Sequence, residues 1–366
     1  MDKKTLIENI FREAHSKGSF NGAWLYAEKG EIVSKGAVGW RDPDNRLPLQ
    51  EDSIFEMASV TKHFTAAAVM LLVREGKLSL DDELARYFPD FPYRGVTVSR
   101  LLNHTSGIPN HDVSALVREL TEKDNAIPDN GRFFRHVCER NDAPLAPPGE
   151  QYCYSDAGYS MLAETVEKVS GVRFEDFLKK NLFEPAGMKD SAVYHIRRDG
   201  IPSDRFARNM VLEKGSFVPS DLSVNSSAYV VGSDGLNGCD YLYTTVFDML
   251  AWDRALREGT VLTPEEQQTM YTPGILNSGN LPLENGSEIS YGFGWHISRE
   301  QDLGLIVSHA GCMPGLSTWF ERFVDADRVL IFMRCRDFTD EEAYSAFREG
   351  IEEIVRDRTP ASCSSL

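Results

Sequence analysis

The chain has 366 residues, 42% of them hydrophobic and 26% charged, with a net charge of −17 and a pI near 5.0. That is the profile of an ordinary globular protein, long enough for one large domain or two lobes sharing a cleft. The acidity argues against nucleic acid and anionic membrane surfaces as partners.

In chain order, Leu6, Ile7, Ile10, Phe11 and Ala14 recur at helical spacing and predict a helix over about 3–17. Residues 23–27 and 32–38 read as strands, and Lys29-Gly30 between them suggests a hairpin. A polar loop (Asp42, Pro43, Asp44, Asn45) leads to Phe55. An apolar helical run (Phe64, Ala67, Val69, Met70, Leu72) follows, and Ser59 and Lys62 stand at its start. On a helix, positions three apart share a face, so the amine can reach the hydroxyl. A serine hydroxyl needs a neighbouring base, and a lysine can serve if its pKa is lowered. The helix start adds backbone N–H groups that suit a developing oxyanion. The same two residues also fit a helix cap and a solvated lysine.

From Ser59 to Ser191 the period is mostly helical, broken at 88–92, 106–109 and 144–149. Residues 201–240 are irregular. Tyr243-Thr244-Thr245 leads into a helix holding Phe247, Met249, Leu250, Trp252 and Leu256. Strands return at 291–297, 305–309, 317–320 and 329–333, before an amphipathic helix over about 341–355 and a loose tail at 359–366. One domain fits this order. A sheet lobe built from approximately 1–58 and 241–358 is interrupted by a helical lobe at approximately 59–240.

The segment Met1-Asp2-Lys3-Lys4-Thr5 has no apolar signal core, and no later apolar run is long enough to span a bilayer. A cytoplasmic protein with no membrane partner is expected. The six cysteines (Cys138, Cys153, Cys239, Cys312, Cys335, Cys363) are scattered and read as reduced thiols. The eight histidines show no ligand spacing, so no metal is expected.

Three stretches join Ser59 and Lys62: Asn103-His104-Thr105-Ser106-Gly107-Ile108-Pro109, Tyr152-Cys153-Tyr154-Ser155-Asp156, and His309-Ala310-Gly311-Cys312 at the end of a strand. Together they resemble the serine β-lactamase and penicillin-recognising hydrolase superfamily. The branch is the one holding class C β-lactamases, D-alanyl-D-alanine carboxypeptidases, D-aminopeptidases and β-lactamase-type esterases. Its motifs, Ser-x-x-Lys, Tyr-x-Asn and Lys- or His-x-Gly, run in this order, and the resemblance covers about 22–355.

The resemblance implies an α/β (α+β) fold of the β-lactamase/transpeptidase type, with an antiparallel sheet lobe flanked by helices and a mostly helical inserted lobe. It makes Ser59 the acylated nucleophile and Lys62 and Tyr154 its proton network. His309 would line the cleft. The backbone N–H groups of Ser59 and Cys312 would form the oxyanion hole. Asp156, Ala310 and Gly311 would contact substrate, the glycine letting it lie close to the strand. The expected activity is acyl-enzyme hydrolysis of small esters or amides, D-amino-acid peptides among them, with esterase or peptidase favoured over β-lactamase. The alternative is a catalytically weak penicillin-binding or ligand-sensing module that keeps the fold. No cofactor is implied, and the oligomeric state stays open.

Two positions depart from the pattern. Asp156 stands where relatives most often carry Asn, and an ionised Asp offers acceptors only. It would favour a charged Lys62 and leave Tyr154 as the base, or instead bind an amine on the substrate. Asn237-Gly238-Cys239-Asp240-Tyr241 stands where relatives often have a glycine-rich turn. His104 reads as a structural group of its loop, Trp252 and Trp295 as core, and Cys153 and Cys312 as lining residues rather than nucleophiles.

Overall fold

A computed structural model describes residues 1–42, 46–109, 119, 120, 122, 129–200 and 203–358. The chain opens with α1 (Lys3–Ser16), capped by the Asp2 side chain on the Thr5 N–H, and the hairpin β1 (Gly22–Glu28) and β2 (Glu31–Val38). Lys29 and Gly30 both take positive φ, +50° and +77°, the two-residue turn whose twist matches the strands it joins. The central helices include α2 (Lys62–Arg74), α3 (Val98–Leu102), α4 (Asn130–Arg140), α5 (Asp156–Ser170) and α6 (Val246–Arg257). The chain closes with β3 (His296–Glu300), β4 (Gly304–Met313), β5 (Leu316–Phe323), β6 (Arg328–Arg334) and α7 (Glu341–Val355).

These strands form one six-stranded sheet in the order β3-β4-β5-β6-β1-β2, every neighbouring pair antiparallel. The β6–β1 pairing joins the two ends of the chain. Alternation along β1 puts Trp24 and Tyr26 in one core and Ala23, Leu25 and Ala27 in the other, so the strand is buried on both faces. On the first face α1 and α7 pack over an aromatic cluster in which Phe11 stacks on Trp24 at 4.5 Å, with Phe20, Phe332 and Phe347 around it. The second face meets α6 and the apolar side of α2. The mixed α/β fold with its antiparallel sheet is the one the motifs implied.

Local departures from the sequence expectations have local causes. Residues 75–97 hold only a short turn of 3₁₀ helix, Leu84–Arg86, because Gly76 at φ +67° ends α2 and Pro89 and Pro92 follow. Residues 203–240 contain a hairpin, Met210–Glu213 with Ser216–Pro219, and a helix, Ser227–Ser233. The strand expected at 291–297 starts only at His296. Before it the chain bends over α2, and a Cβ on Gly294 would sit 2.6 Å from the His63 Cα. Pro43 to Asn45, Cys363 and the tail at 359–366 lie outside the described residues. Among the described residues, no helix is long and apolar enough to cross a membrane.

Candidate active site

Ser59 lies on a 3₁₀ turn, Ala58–Thr61, that feeds into α2. Residues three apart eclipse on such a turn. The Lys62 Nζ accordingly donates to the Ser59 Oγ at 3.0 Å. Ala58 has φ +46°, a left-handed conformation that costs a residue with a Cβ about 1 kcal/mol. Its neighbours enforce it. The Met57 N–H donates to the Leu242 carbonyl at 2.8 Å, and the Met57 carbonyl accepts from Thr318 Oγ1 at 2.9 Å. Ala58, Val60 and Thr61 are buried, and Ser59 alone of the turn is partly exposed.

Lys62 is fully buried. Besides donating to Ser59, its ammonium forms an ion pair with Asp156 Oδ1 at 2.6 Å and donates to the Cys239 carbonyl at 3.3 Å. Burial pushes its pKa down, but Asp156, then Tyr154 and Asp240, outweigh burial and raise it well above the ordinary lysine value. Lys62 is therefore an ammonium at neutral pH, with no lone pair to take a proton. Asp156 opens α5, where the Ser155 side chain caps the helix by accepting from the Gly158 N–H at 3.0 Å.

The Tyr154 ring lies 4.9 Å from the Lys62 Nζ. Burial pushes its phenol up to about 12, against the pull of Lys62 and of hydrogen bonds with Lys62 and Ser59. His104 holds this segment in place. Its Nδ1 accepts from the Ser155 N–H at 3.1 Å, its carbonyl accepts from the Cys153 N–H at 2.7 Å, and its ring packs 4.2 Å from that of Tyr154. Burial, then Lys62, keeps His104 neutral.

His309 is buried in β4. Its Nδ1–H donates to the Ala310 carbonyl at 2.6 Å, and its Nε2 accepts from the Tyr291 hydroxyl at 2.9 Å, a tautomer assigned from these partners. Burial, then His296 and Lys62, holds its pKa well below the ordinary value, so the position carries no charge at neutral pH. Ala310 and Cys312 are exposed on the same strand. Gly311 lies between them, and its reason differs from the expected one. A Cβ there would sit 2.1 Å from the Met57 carbonyl and 2.2 Å from Thr318 Oγ1. The glycine makes room for the serine turn, not for substrate, and brings the backbone at 310–312 against that at 57–59.

Two buried acids at this site were not singled out from the sequence. Burial, with Asp156 adding to it and Lys62 opposing, raises Asp240 to about 6, and hydrogen bonds from Cys239 and Ser59 act to lower it. Glu56 goes up to about 8, through burial and then Asp240. Its Oε2 accepts from Asn209 Nδ2 at 3.0 Å. The signal for Asp240 was its place in the stretch that departs from the glycine-rich turn; nothing local marked Glu56. The donor atoms of Asp156, Cys239 and Asp240 lie within 4.8 Å of one another, and the Lys62 ammonium is the cation beside them.

Residues 7–350 match the family described as Beta-lactamase. Penicillin-binding protein 4* of Bacillus subtilis (strain 168) is 32% identical over 357 residues, 97% of this chain and 76% of that protein. The octameric penicillin-binding protein homologue from Pyrococcus abyssi has a TM-score of 0.80 at 25% identity, covering 98% of this chain and 78% of that chain. D-amino acid amidase from Ochrobactrum anthropi SV3 has a TM-score of 0.78 at 23% identity, covering 98% and 99%. That last likeness is one of fold.

Proposed function

The chain belongs to the Beta-lactamase family, and from that membership we propose that it hydrolyses small esters or amides through an acyl-enzyme formed at Ser59. The observation that carries this reading is the partly exposed Ser59 Oγ held 3.0 Å from a buried ammonium on a turn with enforced left-handed backbone. The Oγ attacks the substrate carbonyl, and the backbone N–H groups of Ser59 and Cys312 receive the oxyanion. The leaving group departs with a proton, and water then attacks the acyl-enzyme. Tyr154 belongs to the proton network through its bonds with Ser59 and Lys62.

Neutral His309 supports ester or peptide substrates over β-lactams, because it offers no fixed cation to a substrate carboxylate. The partly exposed Asp156 instead favours substrates bearing an amine, D-amino-acid amides and peptides among them. A second reading, a penicillin-binding module with weak turnover, draws support from the protonated state of both Lys62 and Tyr154 at neutral pH.

The test is intact-mass spectrometry and peptide mapping after exposure to a fluorophosphonate and to a β-lactam, alongside p-nitrophenyl ester turnover. The expected result is one adduct on the peptide carrying Ser59, with ester turnover. A long-lived β-lactam adduct without turnover would support the second reading, and no adduct at Ser59 would overturn both.

Asp156→Asn is expected to remove the charge that raises Lys62 and to provide an amide donor. The ratio of kcat/KM for a D-alanyl anilide over a p-nitrophenyl ester should rise about tenfold. An unchanged ratio would mean that the carboxylate serves only to hold Lys62.

A further inference from the structure

Glu56, shortly before Ser59 in the chain, lines a cavity of about 140 Å³ that the acyl-enzyme reading does not use. Half-buried Ile196, Val230 and Val231 form one side of it, and the buried rings of Phe206, Tyr241 and Tyr243 form another. An apolar cavity of about 150 Å³ is large enough to hold benzene. We propose that this cavity is a binding site for a small organic cation, a primary amine on a single ring or a short alkyl chain, whose ammonium pairs with the Glu56 carboxylate. The proposal stands apart from the reading of Ser59 as nucleophile.

The cavity is part of the fold. The short strand Phe55–Glu56 pairs antiparallel with Leu242–Thr244 and sets Glu56 opposite Tyr243. Just before it, the Ile54 N–H donates to the Arg205 carbonyl at 3.0 Å, and the Ala207 N–H donates to the Ile54 carbonyl at 2.8 Å. Backbone bonds thus fix the acid and the segment carrying Phe206 and Asn209 against each other, so binding costs little ordering.

The charges around the acid select the ligand. Glu56 is 3% exposed. Its Oε2 accepts from Asn209 Nδ2 at 3.0 Å, and its Oε1 is buried without a hydrogen-bond partner among the described residues. A buried carboxylate needs a partner charge. Arg208 is the basic residue of the lining, and it is already paired with Asp221 at 3.0 Å. Asp234, also in the lining, meets His195 Nδ1 at 3.3 Å. Burial, then Asp240 and Asp234, hold Glu56 up at about 8 against the donors Asn209 and Tyr243. An ammonium reverses that balance. It pairs with the carboxylate, offsets the neighbouring acids and lies among aromatic rings, whose faces attract cations. The Phe206 and Tyr243 rings stand 5.6 Å apart. An anion would be repelled here, and an apolar ligand would leave the carboxyl unmet.

The test titrates the full chain with benzylamine and with benzyl alcohol, its neutral counterpart, by calorimetry and by thermal midpoint. Benzylamine should bind saturably and at least ~10-fold more tightly than the alcohol. Glu56→Gln keeps the shape and an acceptor for Asn209, and it should weaken benzylamine at least ~10-fold and erase the preference. Val230→Phe adds bulk at the cavity wall and should abolish binding of both probes. Asp156→Asn should leave benzylamine affinity within ~2-fold, which separates this cavity from the cleft at Ser59. Equal affinity for the two probes, or no saturable binding by ~20 mM, would overturn the proposal and leave the nucleophile untouched. So would a loss of benzylamine binding in Asp156→Asn but not in Glu56→Gln. If Glu56→Gln does not fold, Val230→Phe decides: loss of an amine-selective site supports the proposal, and retained binding overturns it.

Discussion

Ser59→Ala is expected to lower p-nitrophenyl ester hydrolysis by at least ~10⁴-fold, down to what binding and the oxyanion donors alone supply. The change removes the hydroxyl of the one partly exposed residue of the turn and leaves the machinery around it standing. Met57 keeps its bonds to Leu242 and Thr318, and Gly311 still packs beneath it. Lys62 keeps Asp156 and the Cys239 carbonyl and loses only the serine oxygen. The thermal midpoint should therefore move by no more than about 2 °C. Steady-state kinetics with circular dichroism checks both halves. Turnover that survives in a folded variant would place the nucleophile on another residue.

Lys62→Met is expected to combine a loss of activity of ~10³-fold with a loss of about 3 kcal/mol of stability at neutral pH. Methionine nearly matches the volume but leaves Asp156 and Asp240 facing each other without their cation. Breaking one side of a buried charge cluster costs more than the cluster was worth, because the remaining charges stay desolvated. The pH dependence carries a definite sign. Lys62 has a folded pKa above its unfolded one, so its contribution is complete below the ordinary lysine value of ~10.4 and is lost only as pH rises through the raised value. Asp240 is also raised, so ionising it costs stability as pH climbs from the ordinary carboxylate value to about 6. Without Lys62 that cost grows. Urea unfolding should find the variant's deficit larger at pH ~8 than at pH ~5. A deficit equal at both would mean that the carboxyls are not charged in the folded protein.

Much of the fold is legible in the order of residues. The helices α1 and α7 and the strands β1, β2, β4, β5 and β6 follow the periods of their apolar residues, and α7 spans Glu341–Val355, as its pattern suggested. Ser59 and Lys62 were legible because their contact is made within one turn, where spacing alone sets the geometry. The motif order also told which distant stretches to consider together.

Three features came only with the tertiary structure. The charge of Lys62 and the neutrality of His309 depend on burial and on groups contributed by other segments. Gly311 is explained by a carbonyl at Met57, far away in the chain. The stretch holding Asp240 looked irregular until the ties of Gly238 to Thr65, Cys239 to Lys62 and Leu242 to Thr61 set it against the start of α2. The division has one physical cause. Secondary structure and turns arise from contacts a few residues apart, which the order of residues specifies directly. Protonation states and close backbone approaches arise from desolvation and Coulomb terms summed over space, and only the folded chain decides which groups share that space.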